Sequence, residues 1–137
     1  MHHIIYLSWA SAPLAEDQLQ AILRSARRRN EQLNVTGIMV YGNQRFVQVL
    51  EGEEATVRAL YEHIKRDARH HHIIAYADKP ITHRAFADWA MAFQATTPQQ
   101  FEEMAGYLVP TEVAVDTARL PQPDVHLIDI LRSFTLP

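Results

Sequence analysis

The run His2–Trp9, rich in Ile, Tyr and Leu, predicts a first strand, with Ile4, Tyr6 and Ser8 on one side of it. Pro13 suits a helix entrance, and from Ala15 to about Gln32 the apolar positions Leu19, Ile22, Leu23 and Ala26 recur at helical spacing. Continuing that stripe reaches Asn30. Val35–Tyr41 predicts a second strand. Gly42-Asn43-Gln44 predicts a tight hairpin turn, where Gly and Asn tolerate positive φ. Arg45–Leu50 follows as a third strand, antiparallel to the second and ended by Gly52. Glu53–Arg66 predicts a second helix with Val57, Leu60, Tyr61 and Ile64 on its inner face. Arg27-Arg28-Arg29 in the last turns of the first helix and Lys65-Arg66 at the end of the second suit the helix dipole. His72–Ala77 predicts a fourth strand, broken or bulged at Lys79-Pro80, and Trp89–Gln94 a short fifth.

This β-α-β-β-α-β order fits a ferredoxin-like α+β sandwich, an antiparallel five-stranded sheet with two helices on one face. After Thr97 the character changes. Pro98–Leu108 predicts a third helix, Val109–Pro123 reads as a linker with three prolines, and Asp124–Phe134 predicts a fourth helix with Val125, Ile128 and Leu131 on an apolar stripe. The expected organisation is a domain over 1–97 and a helical extension over 98–137.

Composition narrows the function. At 137 residues and 47% hydrophobic the chain is long enough for one domain with its own core. A net charge of −3 makes no general electrostatic case for nucleic acid. With no Cys there is no disulfide and no thiolate chemistry. The first residues are too short and too quickly polar for a signal peptide, and no apolar run approaches a membrane span. A soluble cytoplasmic protein with no membrane or nucleic-acid partner is expected.

Three polar residues sit where apolar ones belong. Gln48 shares a strand face with Phe46 and Leu50, Tyr6 lies between Ile4 and Ser8, and Asn30 continues the apolar helix stripe. Burying a carboxamide is unfavourable unless its donors and acceptor find partners. Two of them have an ordinary alternative: Tyr6 as a packed core residue, Asn30 as a helix cap. Pairing of the first and third strands would put Tyr6 and Gln48 within hydrogen-bond reach. Trp89 and Met91, two apart, share a face on a regular strand and read equally well as core. Asp67 stands near a helix C-terminus, where a carboxylate is unfavourable, so it answers to Arg69 or to a ligand N–H. His63 lies four residues before it. In His70-His71-His72, neighbouring side chains alternate in direction, and no metal site is expected.

Tyr6-x-Ser8, Asn30, Val35-Thr36-Gly37, Phe46-x-Gln48-x-Leu50-Glu51-Gly52, Asp67-x-Arg69-His70 and Arg84-x-Phe86-x-x-Trp89-x-Met91, in this order and spacing, resemble the BLUF family of flavin-binding blue-light sensors over about residues 2–95. The resemblance implies the same ferredoxin-like fold, FAD as the chromophore (FMN or riboflavin as alternatives), and sensing in place of enzymatic turnover. It implies that Tyr6 is the photochemical electron and proton donor and Gln48 the switch linking it to the flavin. It implies that Asn30, Asp67 and His63 meet the polar edge of the flavin ring, that His70 lines the ring, and that either Trp89 or Met91 approaches the switch glutamine. Arg29 stands where the family often has Asn or His and could donate to a flavin oxygen. Arg28 is a phosphate candidate, and Ile22 and Ile64 would form apolar walls. With no recognisable effector module in the chain, output is expected to pass to a partner protein or through homo-oligomer contacts. The alternative is a ferredoxin-like interaction module without photochemistry. An acylphosphatase-like enzyme would need an oxyanion or phosphate cradle that the sequence does not show.

Overall fold

The structure is a computed structural model that describes residues 1–87, 90–95, 97 and 99–100. Its elements are β1 (His2–Ala10), α1 (Glu16–Leu33), β2 (Thr36–Gly42), β3 (Arg45–Gly52), α2 (Glu54–Lys65), β4 (His70–Pro80) and β5 (Ala92–Ala95). They form one five-stranded sheet in the order β4-β1-β3-β2-β5. The β1–β3, β1–β4 and β2–β3 pairs are antiparallel, and β5 runs parallel to β2. This is the expected ferredoxin-like arrangement, with a mixed sheet in place of an all-antiparallel one.

Side-chain alternation divides the core in two. Ile4, Tyr6, Phe46, Leu50 and Met39 face the helices and pack with Leu19 and Leu23 of α1 and Val57, Leu60 and Ile64 of α2. Ile5, Ile38, Val40, Val47 and Val49 face the other way and pack with Phe86 and Ala92. Each fully buried side chain of this size contributes about 1.5–3 kcal/mol by leaving water, so both layers hold the sheet.

Local details correct several expectations. The cap at the end of α1 is Asn34, with φ of 55°, and Asn30 lies a turn inside the helix, fully buried with Leu19, Leu23 and Ala26. Because α1 runs four residues past Arg29, the arginine cluster is not in its last turn, which holds no basic residue. In the β2–β3 hairpin the positive φ values fall on Asn43 and Gln44, not on Gly42. β4 continues through Lys79 and Pro80, which pair with His3 and His2; as an edge strand it tolerates a proline. Its irregularities lie further in, opposite Ile5–Trp9, and His72 has a φ of 53°. β5 starts at Ala92, three residues later than the pattern suggests.

Gly37 is required by a close approach. A Cβ there would lie 1.8 Å from the Val49 carbonyl oxygen, so any side chain would force β2 away from β3 next to Gln48. Thr97 and Gln100 cap each other reciprocally where the third helix is expected to begin, with 3.1 Å in both hydrogen bonds. The helices expected over 98–108 and 124–134 otherwise lie outside the described residues, as does Trp89.

Candidate functional site

Tyr6 and Gln48 are direct cross-strand partners on the helix-facing side of the sheet, 3% and 2% exposed. The Tyr6 hydroxyl donates to Gln48 Oε1. That fixes the other end of the amide: Gln48 Nε2 points at Met91 Sδ, 3.6 Å away. Gln48 is therefore held by a donor on one side and a weak acceptor on the other. Of the two residues expected near it, Met91 is inside, 1% exposed. Burial pushes the Tyr6 phenol well above its ordinary range, with Arg29 pulling the other way, so Tyr6 keeps its proton at any physiological pH.

Above this pair a cleft opens between the helices, with about 520 Å³ of empty space that is partly open to solvent. One wall is apolar, from Ile22 and Ala26 of α1, Phe46 of β3 and Ile64 of α2. The other is charged, from Arg29, Asp67 and Arg69. Arg69 Nη2 lies 2.5 Å from Asp67 Oδ2, and Asp67 Oδ1 accepts the Arg69 backbone N–H at 2.9 Å. These bonds hold the Asp67 carboxyl down at about 2. Burial lowers the Arg29 guanidinium from its usual range, and its Nε is buried with no partner.

His70 lines the same cleft. Its Nε2 lies 2.7 Å from the Ile64 carbonyl and its Nδ1 2.9 Å from Ser8 Oγ. A carbonyl only accepts, so Nε2 carries the proton and Nδ1 accepts from Ser8. Both ring nitrogens are thus used, and His70 offers the cleft its ring surface, which also sits edge-on to Tyr6 with centroids 6.2 Å apart.

Asn30 Nδ2 donates to the Ala90 carbonyl at 2.8 Å, while its Oδ1 is buried without a partner. The remaining expected residues lie elsewhere. Arg28 is exposed on α1, and His63 is exposed and lines a neighbouring groove between Leu33 and the start of α2. The cleft also uses Ser25 and Met39, which sequence reasoning passed over. Met39 was findable, because it pairs with Gln48 across the predicted hairpin. From sequence Arg27 reads only as part of a cluster that suits the helix dipole, yet its Nε donates to the Met91 carbonyl at 2.9 Å, a contact that no spacing reveals.

Residues 1–92 match the model of BLUF, the sensors of blue light using FAD. The chain belongs to this family. The photoactivated adenylate cyclase subunit beta of Euglena longa is 40% identical over 89 residues, 64% of this chain and 10% of that protein. The chain thus spans about a tenth of the length of this curated relative. Among solved structures, BlrB, a BLUF protein in its dark state, superposes with a TM-score of 0.75 at 27% identity, covering 98% of this chain and 96% of that one. A bacterial light-regulated adenylyl cyclase superposes at 0.65 with 27% identity, over 97% of this chain and 34% of that one.

The BLUF cofactor is FAD, and the cleft suits it. A flavin ring has an apolar dimethylbenzene end and a polar end with two carbonyls and an N–H. The Ile22, Ala26 and Ile64 wall matches the first. At the other end Arg29, whose Nε is buried without a partner, and the Asp67 carboxylate line the cleft and would suit the second, whereas Asn30, whose Oδ1 is also buried without a partner, is not among the residues that line it. No helix among the described residues is long and apolar enough to cross a membrane.

Proposed function

We propose that this BLUF domain senses blue light through Tyr6 and Gln48 and passes the resulting state to a partner protein. A flavin held in the cleft would supply, once excited by blue light, a strong one-electron oxidant beside this pair. Tyr6 answers with one electron and its phenol proton, which it hands towards Gln48 Oε1. Both return to Tyr6 when the cycle closes, so nothing is consumed. While the phenol proton is away, Gln48 loses the donor that fixed its orientation, and its amide turns or tautomerises. A carboxamide presents a donor at one end and an acceptor at the other, so the change reverses what it offers its neighbours. A new hydrogen bond from Gln48 to a flavin carbonyl would shift the absorption to the red.

The observation that supports this reading is the buried Tyr6–Gln48–Met91 chain, in which the amide is held at both ends. Asn30, Arg29 and Asp67 hold the polar end of the flavin. The sensor unit covers residues 1–97, and the 98–137 extension carries the output to a partner or to a second copy of the chain. The test is Tyr6→Phe, which removes only a hydroxyl. Purified protein should remain yellow and give no lasting red shift under blue light, whereas the unaltered chain gives one. A normal shift in the variant would rule out Tyr6 as the donor.

A further inference from the structure

Glu51 is fully buried on the face of β3 opposite Gln48, three residues further along the same strand. Its Oε1 accepts from Thr36 Oγ1 at 2.9 Å and from the Phe86 N–H at 2.7 Å, and its Oε2 accepts from the Ala85 N–H at 2.8 Å. Arg84 closes the cluster. Its Nη1 donates to Thr36 Oγ1 at 2.8 Å and to the Glu51 carbonyl at 3.0 Å, and its Nη2 to the Asn34 carbonyl at 2.7 Å. Phe86, buried completely, plugs the back-face core. Five residues later Met91 lies in the other core, against the helices. There Asn30 holds the Ala90 carbonyl, Arg27 holds the Met91 carbonyl, and Met91 Sδ faces the Gln48 amide. Phe86 and Met91 are thus held on opposite faces of the sheet, and β3 supplies a contact to each side.

We propose that Glu51, with Thr36 and Arg84, is a positioning residue of the switch: it anchors the stretch that carries Met91, and so sets how long the rearranged Gln48 lasts. This rests on the reading of Tyr6 and Gln48 above. The physical argument is that sulfur only accepts, and does so weakly. It therefore favours one orientation of the Gln48 amide, and only while Met91 is held in place. A site whose support is loosened by about an ångström loses that discrimination. Freed from the clamp, Met91 holds the dark orientation less well, and return to it slows.

The experiment compares unaltered protein with Glu51→Gln, Thr36→Val and the control Val57→Ala, a core position lining neither the cleft nor the clamp. Glu51→Gln puts an amide NH2 opposite one of the two backbone N–H donors and unpairs it. Three quantities are read: the dark recovery rate after a blue pulse, the thermal midpoint, and amide hydrogen exchange at Ala85, Phe86 and Met91 in the dark, in flavin-loaded and flavin-free protein. We expect both clamp variants to reach the usual red-shifted state and to recover about threefold more slowly, the scale of one weak hydrogen bond. Exchange at all three amides should rise, while Val57→Ala lowers the thermal midpoint and recovers at the usual rate. Unchanged or faster recovery in the clamp variants overturns the proposal, as does equal slowing in Val57→Ala. If Glu51→Gln does not fold, Thr36→Val decides by the same readings. If the unaltered protein shows no red shift, the reading of Tyr6 and Gln48 has failed. Exchange at Met91 then decides the clamp by itself: a rise upholds it and no change overturns it.

Discussion

Both faces of β3 bury polar side chains, and they treat them differently. On the back face the Glu51 carboxylate takes three hydrogen bonds, two of them from backbone N–H groups that the fold needs to satisfy. On the helix face Gln48 is held by one strong donor and one weak acceptor, and around it Asn30 Oδ1 and Arg29 Nε are buried without partners. A satisfied buried network rigidifies a structure, whereas an unsatisfied buried polar atom is unfavourable and calls for a ligand. The contrast separates an anchor from a site on one strand, three residues apart.

The largest effect expected from breaking the contrast is at Gln48. Gln48→Leu removes donor and acceptor together, so the red shift should vanish while flavin still binds through Asn30 and the cleft walls. Spectra taken seconds after illumination check this; a stable shift of ordinary size would move the switch elsewhere. Glu51→Ala comes next and acts on the other side. It strands two buried N–H groups, which predicts a loss of about 3 kcal/mol in urea unfolding with little change in flavin affinity. A variant as stable as the parent would mean that the back face tolerates unpaired groups as well.

Asn30→Ala should do the reverse. It removes a buried acceptor that has no partner within the protein, predicting about ten- to hundredfold weaker flavin binding by titration, from roughly 1–3 kcal/mol per lost bond. Unaltered affinity would leave Asn30 with only its bond to Ala90. The smallest effect concerns Asp67, whose folded carboxyl is depressed from 3.8 to about 2 by Arg69. A depressed acid contributes its stability above the unfolded value and loses it as pH falls through the folded one. Asp67 is a third exposed and its arginine more so, which screens the pair and keeps the contribution below about 1 kcal/mol. Unfolding of parent and Asp67→Asn should therefore differ at pH 5 and converge near pH 2. A gap that is constant across this range would assign Asp67 no part in acid stability.

Much of this was legible in the chain because it is local or periodic. Helical spacing found α1 and α2, and the period of two put Gln48 on the face of Phe46 and Leu50, where its polarity stood out. The six short motifs, in register, pointed to the family. What stayed hidden depends on contacts between distant segments. No spacing says that Asn34 and not Asn30 caps α1, because a cap is decided by where the chain turns to meet β2. Nor does any say that Met91 is the residue beside Gln48. That follows from how β5 adds to β2 and from Arg27 and Asn30 reaching across to its start. Glu51 was visible only as part of a motif; its role needed Thr36, Arg84, Ala85 and Phe86 brought to one place, up to 35 residues away. Sequence by itself determined the elements, their buried faces and the chemistry available, because these follow from backbone geometry and residue type. Tertiary structure alone decided which polar atoms find partners and which are left open, because a hydrogen bond is satisfied by position in space.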